Sequence, residues 1–141
     1  MNSHLKFHHL GLAVSKPESA TEFVLAMGYV IVNTVYDPNQ NVNLSMCIHA
    51  TEPAIEIIWP GESVGPIHDL TTRHPTGVVY HICYETEDLE AALAKMQQAG
   101  IKALCISPLK PAPLFGNRPV SFYNVRGIGL VEILSESTSR D

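Results

Sequence analysis

The feature that most constrains this chain is an internal repeat that puts a polar, ionisable group at matched places in otherwise apolar strands. Phe7-His8-His9-Leu10-Gly11-Leu12-Ala13-Val14 reads as a strand with His9 inside it, and Val78-Val79-Tyr80-His81-Ile82-Cys83-Tyr84-Glu85 repeats the plan with His81, 72 residues on. At that spacing, without a gap, Gly28 falls on Gly100, each just beyond a helical pattern. Later, Ile55-Glu56-Ile57 falls on Val131-Glu132-Ile133, 76 residues on. The chain therefore reads as two copies of a βαβββ unit, each with a histidine on its first strand and a glutamate on its last. One such unit cannot bury a sheet face alone. The expected fold is α+β: two tandem βαβββ units curling into one incomplete barrel with the helices outside.

The 141 residues suffice for one domain with an ordinary core, divided into unit one at about 6–60, a connection at 61–76 and unit two at about 77–135. A net charge of −5 without any Lys/Arg cluster argues against a nucleic-acid partner. No stretch approaches the roughly 18 apolar residues of a membrane span, and Met1-Asn2-Ser3-His4 lacks the apolar run of a signal peptide, so a cytoplasmic location is expected. Cys47, Cys83 and Cys105 are scattered, without a CxxC pair, which disfavours a disulfide framework or a zinc knuckle. All three lie in apolar runs and are expected in the core.

Element by element, residues 6–14 read as a strand, and the Ser15/Glu18 spacing of a capping box opens a helix over 17–27. Ala20, Phe23, Val24 and Met27 form its apolar stripe. Strands follow at 29–36, 42–48 and 54–59, with Asp37-Pro38-Asn39-Gln40-Asn41 as a turn. In the connection, Ile67, Leu70 and the polar residues between them could make one short helical turn. Unit two repeats the plan: strand 78–85, helix 87–99 with its stripe at Leu89, Ala92, Leu93 and Met96, then strands 101–107, 118–124 and 129–134. Ser107 to Gly116 reads as a long proline-rich loop, a lid or a rigid connector.

His9, Glu56, His81 and Glu132 are the candidate metal ligands. A carboxylate flanked by aliphatics on a strand is costly unless paired or metal-bound. Strand alternation puts Glu56 and Glu132 on the face opposite their β-branched neighbours. Two imidazoles and two carboxylates suit a divalent first-row metal with open positions. Taken singly, each glutamate could face solvent and His81 could be a hydrogen-bonded core histidine; the fourfold match within a repeat is what favours a metal. His8 does not obey the repeat. His4, His49, His68 and His74 have no partner by this logic and are expected on the surface or in loops.

The chain resembles the vicinal oxygen chelate superfamily (glyoxalase, bleomycin resistance and dioxygenase proteins) from residue 6 to about 135, most nearly its methylmalonyl-CoA epimerases. The resemblance is carried by His9-Leu10-Gly11-Leu12-Ala13-Val14, Ile55-Glu56-Ile57-Ile58-Trp59-Pro60, Tyr80-His81-Ile82, Gly116-Asn117-Arg118-Pro119-Val120-Ser121-Phe122 and Leu130-Val131-Glu132-Ile133. It implies one divalent ion (cobalt, nickel, manganese or zinc) on His9, Glu56, His81 and Glu132. It also implies that Glu132 doubles as catalytic base, that the substrate is a small molecule such as an acyl thioester, and that the protein is a homodimer. Asn39, Gln40, Phe115, Asn117 and Arg118 are the candidate substrate contacts. Arg118 would meet a carboxylate or phosphate, unless it is a plain solvated arginine; Phe115 and Trp59 would wall the pocket, unless they are core.

The function implied is a metal-dependent isomerase or epimerase that removes a proton next to a carbonyl. One departure bears on it: Asn39 stands where the epimerases carry their second base, and an amide cannot take a proton at neutral pH. The alternatives are a glyoxalase I-like lyase (lactoylglutathione lyase) and a resistance-type binding protein without catalysis. Glyoxalase I carries a glutathione-binding arginine where this chain has Ala13, which counts against that lyase.

Overall fold

The computed structural model describes residues 4–136. They form eight strands and three helices of the α+β class: β1 (Lys6–Ala13), α1 (Glu18–Ala26), β2 (Val30–Asp37), β3 (Val42–Ile48), β4 (Ala54–Pro60), α2 (Pro66–Arg73), β5 (Val78–Thr86), α3 (Leu89–Gln98), β6 (Ala103–Ala112), β7 (Arg118–Val125) and β8 (Gly129–Ser135). Each copy of the repeat is thus a strand, a helix and three strands. By compactness the chain divides into His9–Tyr80 on one side and the residues up to His8 with those from His81 onward on the other.

In the first unit the strands run in the order β2-β3-β4-β1. The hairpins β2–β3 and β3–β4 are antiparallel and β1 lies parallel to β4. Val14, Val24, Tyr29, Cys47 and Ile57 make its core, with Leu12, Ala20, Ile31 and Ile55 against them. Ile55 and Ile57 therefore face α1, and strand alternation turns Glu56 to the opposite face. The second unit repeats this as β5-β8-β7-β6, with β5 parallel to β8 and the hairpins β6–β7 and β7–β8 antiparallel. Tyr123, Val125, Val131 and Ile133 pack against Leu89, Leu93 and Met96 of α3. On the other face Cys83, Ala112, Val120 and Leu134 pack with Phe115 and Phe122.

Several local expectations are corrected. Helix α1 begins on Pro17 as N-cap without any side-chain cap bond, so there is no capping box; Ser15 Oγ instead donates to the Thr71 carbonyl, 3.3 Å away. Its apolar stripe has the right period and the wrong phase. Val24 is fully buried and Ala20 partly so, with Pro17 and Thr21 completing that face, while Phe23 and Met27 are 60% and 52% exposed. A helical period fixes which residues share a face, not which face meets the sheet, and here the smaller residues take the buried side. By contrast, α3 starts at Leu89, two residues later than expected, on a side-chain cap: the Asp88 carboxylate accepts from Ala91 N at 3.0 Å and Thr86 Oγ1 accepts from Asp88 N at 3.1 Å.

The connection between repeats holds an eight-residue helix, α2, not one turn. The proline-rich segment is mostly strand. β6 runs through Pro108 and Pro111 to Ala112, its pairing with β7 broken between Cys105 and Ser107 and between Ser107 and Lys110, and only Pro113–Phe115 turn as a short 3-10 helix. Prolines are tolerated because β6 is an edge strand, where a missing N–H costs no ladder bond on the open side.

The cysteines divide. Cys47 and Cys83 are buried as expected, but Cys105 is exposed, which corrects its placement in the core. Burial pushes the Cys47 thiol from its ordinary 9.0 up to about 11. The unfolded chain would ionise this thiol first, so the stability it contributes is complete below pH 9 and disappears as pH rises toward 11. A disulfide reagent at neutral pH is expected to modify Cys105 alone within minutes, and the other two thiols only in denaturant; prompt reaction of two or three would contradict this burial. Among the described residues no helix is long and apolar enough to cross a membrane.

Candidate metal centre

The sequence-predicted ligands fall into two pairs built the same way. In the first unit β1 and β4 run in parallel with Gly11 opposite Glu56, so His9, two residues earlier, shares the face of Glu56 on the neighbouring strand. His9 Nε2 lies 3.6 Å from Glu56 Oε1. In the second unit Cys83 lies opposite Glu132, and His81 is again two residues earlier; His81 Nε2 lies 3.3 Å from Glu132 Oε1. Gly11 and Cys83 are equivalent in the repeat, as are Glu56 and Glu132, so strand register is kept along with residue type. In each unit the pair points away from the unit's own helix, on the face opposite Ile57 or Ile133.

Burial makes these pairs unusual. His9 is fully buried, and Glu56, His81 and Glu132 are only 3%, 3% and 4% exposed. Two carboxylates so far from water are tolerated only when a positive charge or several donors face them. His81 is also held edge-on by Phe122, ring centres 6.0 Å apart, which limits its rotation. Two imidazoles and two carboxylates are a donor set able to hold a metal ion, and hard oxygen with borderline nitrogen donors suits a divalent first-row ion. By this chemical test the residues fit such a metal.

The residues expected to touch substrate lie in two places. Asn39 and Gln40 belong to the β2–β3 turn: Asn39 N donates to Asp37 Oδ1 at 2.8 Å and Gln40 Nε2 donates to Asp37 Oδ2 at 3.0 Å. Asp37, expected only as a turn residue, is a buried carboxylate, 1% exposed. Its signal was present, since an Asp two residues before a turn N–H is the mark of an Asx turn. Phe115, Asn117 and Arg118 follow β6. Phe115 packs edge-on to His8 at 5.3 Å, Asn117 adopts a left-handed φ of 65°, and Arg118 Nε donates to the Ser135 carbonyl at 3.0 Å. Trp59 packs against the core of the first unit.

His8 and Glu85 form a further pair, Nε2 to Oε2 3.3 Å, which the sequence did not suggest because neither obeys the repeat. Of the remaining histidines, His49 is structural: its Nδ1 accepts from Thr51 N and Glu52 N, and its ring lies 4.9 Å from Tyr29. His68 and His74 are exposed, and His4 is partly buried.

Known proteins share the fold of this chain. An ethylmalonyl-CoA/methylmalonyl-CoA epimerase of Cereibacter sphaeroides is 28% identical over 100 residues, covering 70% of this chain and 74% of that one. The fold is that of methylmalonyl-CoA epimerase from Mycobacterium tuberculosis, with a TM-score of 0.74 at 15% identity over 93% of this chain and 87% of that one. Methylmalonyl-CoA epimerase from Streptomyces coelicolor, solved with 2-nitronate-propionyl-CoA, superposes with a TM-score of 0.69 at 19% identity, over 94% of this chain and 98% of that one. The family model described as Glyoxalase/Bleomycin resistance protein/Dioxygenase superfamily matches residues 8–122, and the chain belongs to that superfamily.

Proposed function

We propose that this protein is a metal-dependent isomerase or epimerase that removes a proton next to the carbonyl of an acyl thioester resembling methylmalonyl-CoA. The observation that carries the proposal is the pair of buried His–Glu couples at equivalent positions of the repeat, His9 with Glu56 and His81 with Glu132. These four side chains together would hold one divalent ion. Such an ion, when bound, supplies a Lewis acid that polarises the substrate carbonyl and so acidifies the neighbouring C–H. Glu132 takes the α-proton on its carboxylate and returns it, the role of a general base within reach of the reacting carbon. The surrounding apolar side chains keep water away and strengthen each charge interaction. Support for a thioester comes from the epimerase relative and from the solved epimerase bound to methylmalonyl-CoA.

Asn39 replaces the second base, and the carboxylate nearest to it in sequence, Asp37, has both oxygens engaged by the turn it holds. One-base exchange through Glu132 is the chemistry these residues support best. A glutathione conjugate is a poorer fit, because the fully buried Ala13 offers no cation. The test is incorporation of deuterium from heavy water at C2 of methylmalonyl-CoA, followed by NMR with the metal-loaded protein. Exchange well above the uncatalysed rate is expected; its absence with every first-row divalent ion would leave a binding protein as the better account.

The same reading includes a homodimer. Helix α1 and edge strand β2 present Phe23, Met27, Val30 and Val32, each between 52% and 60% exposed, a run of apolar surface that a second copy would cover. Sedimentation velocity is expected to give a dimer that Val32→Lys shifts toward monomer; a wild-type monomer at tens of micromolar would refute the pairing.

A further inference from the structure

The two repeats close the corner between helix and following strand with the same backbone and different side chains. In the first, Gly28 N donates to Leu25 O and Tyr29 N to Val24 O, at 3.1 and 2.9 Å. In the second, Gly100 N donates to Gln97 O and Ile101 N to Met96 O, at 3.0 and 2.9 Å. The first corner is plugged. Tyr29 is 9% exposed, its hydroxyl donates to the Pro53 carbonyl at 2.7 Å, and His49 stacks on its ring while its Nε2 meets the Met27 carbonyl at 3.0 Å. A Cβ added to Gly28 would meet His49 Nε2 at 3.1 Å, whereas one added to Gly100 would meet nothing within 4 Å.

The second corner has lost the plug. Ile101 stands where Tyr29 does and is 43% exposed, and Val125 stands in the place of His49. What remains is an open hollow of about 840 Å³ beside α3, β6 and β7, lined by Leu93, Met96, Ile101, Leu104 and Tyr123, with Leu104 itself 70% exposed. That is within the range of small-molecule sites, roughly 300–1,000 Å³. Among the described residues its only charged lining side chains are cationic, Lys102 and Arg126, with no Asp or Glu, in a chain whose net charge is −5. An apolar hollow with positive charge selects an amphipathic anion.

We propose that the corner between α3 and β6 is a second binding site, for an aromatic carboxylate whose ring takes the place that the Tyr29 phenol fills in the first repeat and whose acid group meets Lys102 and Arg126. The site is on the helix side of the sheet, away from His81 and Glu132, and does not depend on the chemistry proposed there.

The test is an NMR titration with naphthalene-1-acetate and its neutral counterpart naphthalene-1-ethanol. Saturable binding at one anion per chain is expected, with shifts confined to the methyl and ring signals of Leu93, Met96, Ile101 and Tyr123. Ile101→Tyr, which rebuilds the plug, abolishes it. The double change Lys102→Gln and Arg126→Gln, at exposed side chains that leave the fold alone, weakens the anion roughly tenfold and brings it level with the alcohol. Undiminished binding to the Ile101→Tyr protein, or equal affinity of acid and alcohol in the wild type, overturns the proposal. So does a dimer that Leu104→Asp dissociates, which would assign the corner to a second copy of the chain.

Discussion

Glu132→Gln is expected to lower α-proton exchange by about three orders of magnitude while the protein keeps its fold. The amide has the shape of the carboxylate but cannot accept the substrate proton at neutral pH. Stability should change little, because glutamine can still accept a hydrogen bond from His81, 3.3 Å away in the wild type, and Val131 and Ile133 around it are untouched. Deuterium incorporation into a malonyl-type thioester, measured beside the thermal midpoint, separates the two effects. Loss of exchange with an unchanged midpoint supports Glu132 as base. Exchange at the wild-type rate would remove it from that role and direct attention to the other buried carboxylates, Glu56 and Asp37.

His81→Ala should cost the protein its metal. The wild type, purified without chelator, is expected to carry about one divalent first-row ion per chain by plasma mass spectrometry. The variant should retain little, since even removing a residue that only orients a ligand weakens metal sites by about 10–100-fold and a lost donor weakens them more. His9→Ala should behave alike, because His9 holds the equivalent place in the first repeat with Glu56 at 3.6 Å. That symmetry is the sharper part of the prediction. If only one histidine mattered, the two couples would not share an ion. Metal-free wild-type protein that takes up no cobalt, nickel, manganese or zinc would sink the four-ligand reading altogether. Removing the ion with chelator from a protein that holds one should also lower its melting temperature, because binding to the folded state alone stabilises it by mass action.

The consequence of Asn39 lies between these two experiments. An enzyme whose one base is Glu132 exchanges its substrate proton faster than it inverts the carbon, because the Asn39 amide, in the place of the epimerases' second base, cannot return a proton. A ratio of exchange to inversion well above one is therefore expected, measured from deuterium content and optical rotation in one reaction.

Much of this protein was legible from its sequence, for a physical reason. Apolar alternation and helix stop signals are local, so the strands around His9, Glu56, His81 and Glu132 and the helix stops at Gly28 and Gly100 could be read directly. The repeat then made pairs of distant residues predictable, since two copies of one unit must reuse one register. The structure keeps that register, with Gly11 opposite Glu56 and Cys83 opposite Glu132. The tertiary structure decided what depends on the rotation and edges of elements. It exposed Phe23 and Met27 by turning α1, drew the proline-rich segment into an edge strand, placed Cys105 at the surface, paired His8 with Glu85 and buried Asp37 beneath Asn39 and Gln40. Helical periodicity fixes which residues share a face but not which face meets the sheet. Pairing along a strand follows from hydrogen-bond geometry, whereas the filling of a corner follows from volumes. Tyr29 and Ile101 therefore occupy equivalent places in the sequence, and only packing shows that one corner is full and the other open.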